Sequence, residues 1–325
     1  GFGEYGFPES HSASFALLAY ASGWLKLHQP AAFLCALLNS QPMGFYSPAQ
    51  LLQDAGRACG QRPAVAVHPV DVRHSDWDCT LEGEPPAVRL GLCMVGGLSA
   101  QGGARLVAAR AALGPGGYAG VAELARHAQL ERRDLDALAR AGALAALAGH
   151  RHLALWQVAD VAPRPARGAL ALEAATQEAA PALRAPAEGE EIVADYASLG
   201  LTLGRHPLAL LRPRLARLRA LTARELLALP HGRAARMSGI VTGRQRPGTA
   251  SGTVFVTLED ETGWVNVIVW PALVEAQRKE LLGARLMTVH GRLEREGAVA
   301  HLIAQRLHDH SALLGRLATA SRDFH

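Results

Sequence analysis

Apolar residues at Phe15, Leu17, Leu18, Tyr20, Trp24, Leu25 and Leu27 fall on every face of a 3.6-residue repeat, which predicts a buried helix. It must break before Pro30, because the residue ahead of a proline is pushed out of the helical region. Residues 31–38 predict a second apolar helix, and Ser47-Pro48 opens a third, with Gly60 just past its end. The pattern then changes. Val65, Val67, Val70 and Val72, the run 77–81 and residues 88–92, broken by a Gly83/Pro85-Pro86 turn, predict short strands. Residues 121–127 and 132–140 are two short helices closed by Ala141-Gly142-Ala143, and residues 190–198 predict another. From Arg236 the period becomes two, with strands predicted over 237–242, 253–258, 264–270, 286–293 and 299–307. Asp260-Glu261-Thr262-Gly263 is a hairpin turn between the second and third of these, and residues 271–282 are helical. Five strands with a helix between the third and fourth is the order of an OB-fold barrel. The chain as a whole predicts an α+β, multidomain fold: a mostly helical start, a paired helix-hairpin-helix module and a five-stranded barrel.

Composition sharpens this only in places. The chain has 325 residues, 49% hydrophobic, enough for two or three domains, with a net charge of +4. The mild basic excess suits a polyanionic partner. Lysine occurs only at Lys26 and Lys279, so arginine supplies the positive charge. Cys35, Cys59, Cys79 and Cys93 form no CxxC pair, which points to reduced thiols rather than a zinc site or disulfide framework. Uncharged stretches are interrupted by Pro, Gln and Asn, so no signal peptide or membrane span is expected. Residues 161–190, rich in Ala, Pro and Glu without a period, predict a linker.

Four places carry candidate chemistry. Ser10 and Ser12 are good helix N-caps, so Ser10-His11-Ser12 would sit where free backbone N–H groups favour an anion such as phosphate; the same residues also read as a serine cap beside a surface histidine. Asp71, Asp76 and Asp78 resemble a metal cluster but sit among turns, which favours solvated loop carboxylates. Val95-Gly96-Gly97-Leu98-Ser99 followed by residues 104–110 has the form of a helix-hairpin-helix element, with a second unit over 121–140. Gly96 and Gly97 would let backbone N–H groups approach a DNA phosphate, with Arg105, Arg132 and Arg133 beside them. Between Arg205 and Arg246 the arginines 205, 212, 214, 217, 219, 224, 233, 236, 244 and 246 face one acid, Glu225, a one-signed run that suggests phosphate contact or a solvated face. In the barrel, Arg236, Arg244, Arg246, Arg292, Arg295 and Arg306 are candidates for a basic groove binding single-stranded nucleic acid. Phe255, Trp264 and Trp270 are candidate stacking platforms, although the interior is the commoner place for such large rings; the arginines of the 243–252 loop are the firmer candidates.

The segment Tyr5-Gly6-Phe7-Pro8-Glu9-Ser10-His11-Ser12-Ala13-Ser14-Phe15-Ala16, with Trp24-Leu25-Lys26 and His28-Gln29-Pro30, resembles the end of the fingers of bacterial C-family DNA polymerases, the alpha subunits of DNA polymerase III. The run 256–271, His308-Asp309-His310-Ser311 and the ending Ser321-Arg322-Asp323-Phe324-His325 are similar to the tail of the error-prone, translesion branch. Replicative relatives carry a glutamine-plus-aromatic clamp-binding peptide near the linker, whereas here Gln177 is followed by Glu178-Ala179-Ala180. The resemblance implies fingers over 1–93, tandem helix-hairpin-helix over 94–160, a linker over 161–190, a helical connector over 191–230, an OB-fold over 231–312 and a tail over 313–325. It implies DNA as partner, both single-stranded template and primer-template duplex, with nucleotide in the complete enzyme and accessory proteins giving access to the sliding clamp. A cytoplasmic, nucleoid-associated location and DNA-damage-induced translesion synthesis follow from it. Chain extension requires carboxylates holding two divalent ions about 4 Å apart; in this family they lie in a palm domain that the chain lacks, after an amino-terminal PHP domain. No catalytic or metal residue is therefore expected here, and Mg2+ would bind only in the palm of the complete enzyme. His11 and Lys26 stand about 22 Å apart along a helix, so Ser10, His11 and Ser12 would face nucleotide or template while Lys26 serves elsewhere. Two alternatives remain open: a non-enzymatic helix-hairpin-helix/OB-fold adaptor, and a scaffold whose barrel docks a translesion partner.

Overall fold

The computed structural model describes residues 9–43, 46–114, 117–161, 181–297, 299–317 and 322–324; Glu9, Ser10, His11 and residues 322–324 are described in backbone only. Most of the predicted linker, and Gln177, lie outside the described residues. The chain divides into two units, Gly1–Pro186 with Ser198–Leu203, and Ala187–Ala197 with Gly204–His325. Among the described residues no helix is long and apolar enough to cross a membrane.

The first unit begins with α1 (Glu9–His28), α2 (Pro30–Asn39) and α3 (Pro48–Ala55). Helix α3 starts as expected: the Ser47 hydroxyl accepts from Gln50 N while the Gln50 side chain accepts from Ser47 N, a reciprocal capping box. It ends earlier than predicted. Gly56 is its C-cap, Val65 N donates to the Ala55 carbonyl, and Gly60 sits in a separate turn at φ +57°. Strands β1 (Val67–His68), β2 (Thr80–Glu82) and β3 (Ala87–Arg89) form a small sheet in the order β1-β3-β2. Five helices follow: α4 (Ala100–Leu113), α5 (Val121–His127), α6 (Arg132–Arg140), α7 (Ala145–Ala148) and α8 (Arg151–Asp160). Leu106, Leu124, Leu138, Leu144, Ala154 and Val158 are fully buried and join these elements to Leu34, Val88 and Leu92 in one core. The expectation that α1 is buried fails. Leu17 is 72% and Tyr20 75% exposed; among the described residues the main packing partner of α1 is α2.

In the second unit, α9 (Glu188–Leu199), whose last two residues belong to the first unit, α10 (Pro207–Arg217) and α11 (Ala223–Leu227) precede the barrel. Its strands are β4 (Ala234–Gln245), β5 (Val254–Asp260), β6 (Gly263–Val269), β7 (Leu286–Glu296) and β8 (Val299–Asp309). Helices α12 (Pro271–Ala276) and α13 (Arg278–Gly283) lie between β6 and β7. The order β5-β6-β8-β7-β4, closed by a β4–β5 pairing, is the five-stranded barrel expected from the alternation. A sixth strand, β9 (Arg322–Phe324), runs parallel to β4 at residues 243–245. It is too short for periodicity to reveal. Val256, Leu258, Val267, Val289, Leu293 and Leu302 fill the interior, while Ile192, Leu208 and Leu215 pack against Ile240 and Leu286 outside it.

Candidate nucleic-acid interface

Helix α1 begins at Glu9, so Ser10, His11 and Ser12 occupy its first turn; the side chains of Ser10 and His11 lie outside the described residues. Lys26 forms an ion pair with Asp54 on α3 at 3.0 Å. Both side chains are about half exposed, so the pairing is a weak surface contact. Asp76 pairs with Arg110 and Asp71 accepts from Arg73 N at 2.9 Å. Among the described residues no group of three or more His, Cys, Asp or Glu side chains is placed to hold a metal ion.

The two predicted hairpins differ. In the first, Gly96 N donates to the Ser198 carbonyl at 2.7 Å, and a Cβ on Gly96 would stand 2.9 Å from that oxygen. Its amide is therefore occupied by the protein's own backbone and is not offered to a phosphate, contrary to expectation. Arg105 is also engaged: it lies 3.6 Å from Asp134. Asp134, 1% exposed, accepts from Ser99 N at 2.9 Å and from the Ser99 hydroxyl at 3.0 Å. Ser99 in turn caps α4 through Gly102 N at 2.9 Å. Gly97, at φ +88°, keeps the role a glycine hairpin requires. The second hairpin is open. Helix α6 has no side-chain cap at Glu131, leaving its first amides without a side-chain partner. Arg133 is exposed there and makes no ion pair among the described residues, while Arg132 shares a 3.2 Å surface pair with Asp136.

On the barrel the arginine run is partly spent. Arg205 pairs with Glu188, Arg212 with Glu261 at 2.6 Å and Asp260 at 3.2 Å, and Arg236 donates to the Leu218 carbonyl. Arg295 donates to the Leu227 carbonyl. Arg244 is a correction to the expected groove. It is 7% exposed and its Nε donates to the Leu281 carbonyl at 2.7 Å, locking β4 to α13. The residues 243–245 are further flanked by β5 and β9. Arg246, the next arginine, is exposed at the end of β4.

Strand register brings the remaining candidates together. Phe255 pairs with Ile268, Ile268 with Ile303, and Ile303 with Arg292. Their chain neighbours Val254, Val256, Val267, Val269, Leu293 and Leu302 are buried, so the row faces outward. The next row holds Thr257, Asn266, His301 and Glu294. Trp264, 58% exposed, and Trp270, 51% exposed, lie on β6 and just past its end. The interior, filled by valine and leucine, has no place for them. The outer face of β5–β6–β8–β7 thus offers an aromatic and aliphatic platform edged by Arg292, with acids at Glu294 and Glu296 on its β7 margin. Alternation along 264–270 places Ile268 on the same face as Trp264, and register sets Ile303 beside Ile268.

Farther along the same outer face, the rings of His290 and His308 are 4.8 Å apart and those of His308 and His310 stack at 6.2 Å. Burial, then Arg236, His308, Arg306 and His310, hold His290 below its ordinary value of 6.5. Burial, Arg306, His310 and Arg236 likewise lower His308, against a raising effect of Glu280. The unfolded chain therefore binds more protons than the fold once pH drops below about 6.5, and stability conferred by these groups is lost on acidification. Urea midpoints of the full chain should fall between pH 7 and pH 5, and less so for His290→Gln.

A family model described as a helix-hairpin-helix motif matches residues 64–154, and one described as an OB-fold nucleic acid binding domain matches residues 235–309. An error-prone DNA polymerase of Alkalilimnicola ehrlichii is 60% identical over 330 residues, covering 100% of this chain and 31% of that protein. Error-prone DNA polymerases of an Azoarcus species and of Pseudomonas fluorescens are 60% and 54% identical, each over 100% of this chain and 30% and 31% of theirs. The chain thus spans about 30% of the length of the curated relatives it matches. Among solved structures, asparaginyl-tRNA synthetase from Pyrococcus horikoshii aligns over 27% of this chain and 22% of its own, at 23% identity and a TM-score of 0.24, too low to carry an inference.

Proposed function

We propose that this chain, similar from end to end to about 30% of an error-prone C-family DNA polymerase, is the part that holds DNA while chemistry proceeds elsewhere. The observation that carries the reading is the outward row Phe255–Ile268–Ile303–Arg292, on a barrel matched by a nucleic-acid-binding family model. Bases of a single strand stack on Phe255 and lie along the two isoleucines, and Arg292 and Arg246 meet the phosphates. Stacking tolerates any base, which suits a template whose sequence, or damage, cannot be known in advance. The second helix-hairpin-helix, through Arg133 and the uncapped start of α6, contacts duplex phosphates without sequence preference. Ser10, His11 and Ser12, at the start of α1, face nucleotide or template. Two-metal nucleotidyl transfer resides in the remaining two thirds of the polymerase, and accessory proteins supply access to the sliding clamp.

Phe255→Ala should weaken binding of a labelled single-stranded oligonucleotide by about 1–3 kcal/mol, a several-fold to hundredfold rise in Kd. Fluorescence anisotropy measures it, and an unchanged Kd removes the platform from the account. The purified chain with Mg2+ and nucleotides should not extend a primer; extension would place the chemistry here.

A further inference from the structure

The platform does not end at Arg292. Along β7 the next residues on that side are His290, half-buried, and Thr288, 1% exposed, and along β8 they are Arg306, exposed, and His308, half-buried. Register sets Arg236 beside His290 and His290 beside Arg306, then Ser238 beside Thr288 and Thr288 beside His308. A hydrogen-bonded chain orients the far end: the hydroxyls of Ser238 and Thr288 are 2.6 Å apart, and Thr288 Oγ1 stands 2.7 Å from His310 Nδ1. Arg236, tied to the Leu218 carbonyl, adjoins exposed Arg217 and Arg219 on either side of that residue.

We infer that the strip formed by Arg306, His290, Arg236, His308 and His310 is a second, proton-coupled phosphate-binding segment that continues the single strand's path beyond the aromatic platform. The first reason is charge. Register sets Arg236 and Arg306 on either side of His290, so a proton taken up there would stand between two guanidiniums, like charges that destabilise a sheet. A phosphodiester backbone is the occupant that relieves this. The acids near the strip are few: Glu280 on α13 acts on His308, and Asp309 accepts from Ser311 N at 2.8 Å, which holds it to the following turn. The second reason is continuity, since Arg292 and Ile303 belong to the platform and Arg306 and His290 follow on the same two strands.

Burial and the neighbouring arginines disfavour protonation of His290 and His308. An arriving phosphate favours the protonated imidazoles, so binding takes up protons and tightens as pH falls. The inference rests on the platform reading, and strand length separates the two. Oligothymidylates of about 6 and about 15 nucleotides, both within the usual site size of a single OB fold, are titrated against the full chain at pH 6 and pH 8. The longer strand should bind about tenfold more tightly than the shorter, with the larger advantage at pH 6. Arg306→Glu and His308→Gln should remove most of that advantage and leave the short strand unchanged. If both variants keep the wild-type length and pH dependence, the strip is not a binding segment while the platform stands. If even the short strand fails to bind wild type, the platform fails, and inorganic polyphosphate at pH 6 decides the strip alone. Loss of polyphosphate binding in Arg306→Glu supports it, and no binding by wild type overturns it.

Discussion

Asp134→Ala is expected to cost the first unit about 3–5 kcal/mol, the range for stripping one partner from a buried ionic cluster. The carboxylate is 1% exposed and joins α6, to which it belongs, to α4 at two points: it receives the Ser99 amide and hydroxyl at the start of α4 and faces Arg105 further along that helix. Removing it leaves the Ser99 amide and the Arg105 guanidinium without a partner in a desolvated place. It also removes the carboxylate that meets Gly102, where a Cβ would stand 2.2 Å from Asp134 Oδ2. Urea denaturation followed by far-UV circular dichroism should show an early transition from the helical unit. Asp136→Ala, which breaks only the exposed pair with Arg132, should change stability by less than about 1 kcal/mol. Equal effects from the two would refute the structural role given to Arg105 and would return it to the list of DNA contacts.

Asp260→Ala should be comparably severe in the second unit, about 3–5 kcal/mol for a fully desolvated carboxylate with several donors. Asp260 is 0% exposed. It accepts from Thr262 N and the Thr262 hydroxyl, each at 2.7 Å, and from Gly263 N at 3.1 Å, which shapes the β5–β6 hairpin. Its other oxygen accepts from Ala223 N at 2.7 Å and meets Arg212 at 3.2 Å, tying α11 and α10 to the barrel. Because Trp264 follows Gly263 directly, loss of the hairpin also displaces one edge of the platform. Single-strand affinity should therefore fall together with the thermal midpoint, whereas Phe255→Ala should lower affinity alone. A stable Asp260→Ala barrel would contradict this assignment.

The barrel was legible because its strands alternate strictly, and alternation is a local signal with a single structural meaning. The two paired hairpins were legible for a related reason: glycine and short helices announce themselves within a dozen residues. The motif around Ser10-His11-Ser12 pointed to the C-family polymerases and the ending at 321–325 to their error-prone branch, and similarity to error-prone DNA polymerases does extend over 100% of the chain. It favours a polymerase portion over a free-standing adaptor. Burial was less legible. Apolar residues all around α1 announce a helix to be covered, yet nothing in a linear pattern says what covers it. Charge partners were least legible. The run from Arg205 to Arg246 holds one acid of its own, but Glu188, Asp260 and Glu261 come from outside it. Arg244 finds carbonyls on α13, and Gly96 finds the Ser198 carbonyl a hundred residues on. Such pairings are set by tertiary geometry, which is why one of the two arginines placed most firmly in the groove, Arg244, is buried while Arg246, Trp264 and Trp270 are exposed.

The central claim is that the barrel's outer face grips a nucleic-acid backbone through arginines that the fold leaves unspent. Salt titration of single-strand binding by the full chain tests it most directly, because each phosphate neutralised contributes about −0.7 to the slope of log K against log salt. With Arg246, Arg292 and Arg306 engaged, the account predicts a slope of about −2, reduced by about a third in Arg292→Ala. A slope near zero, or one that Arg292→Ala leaves untouched, would contradict it.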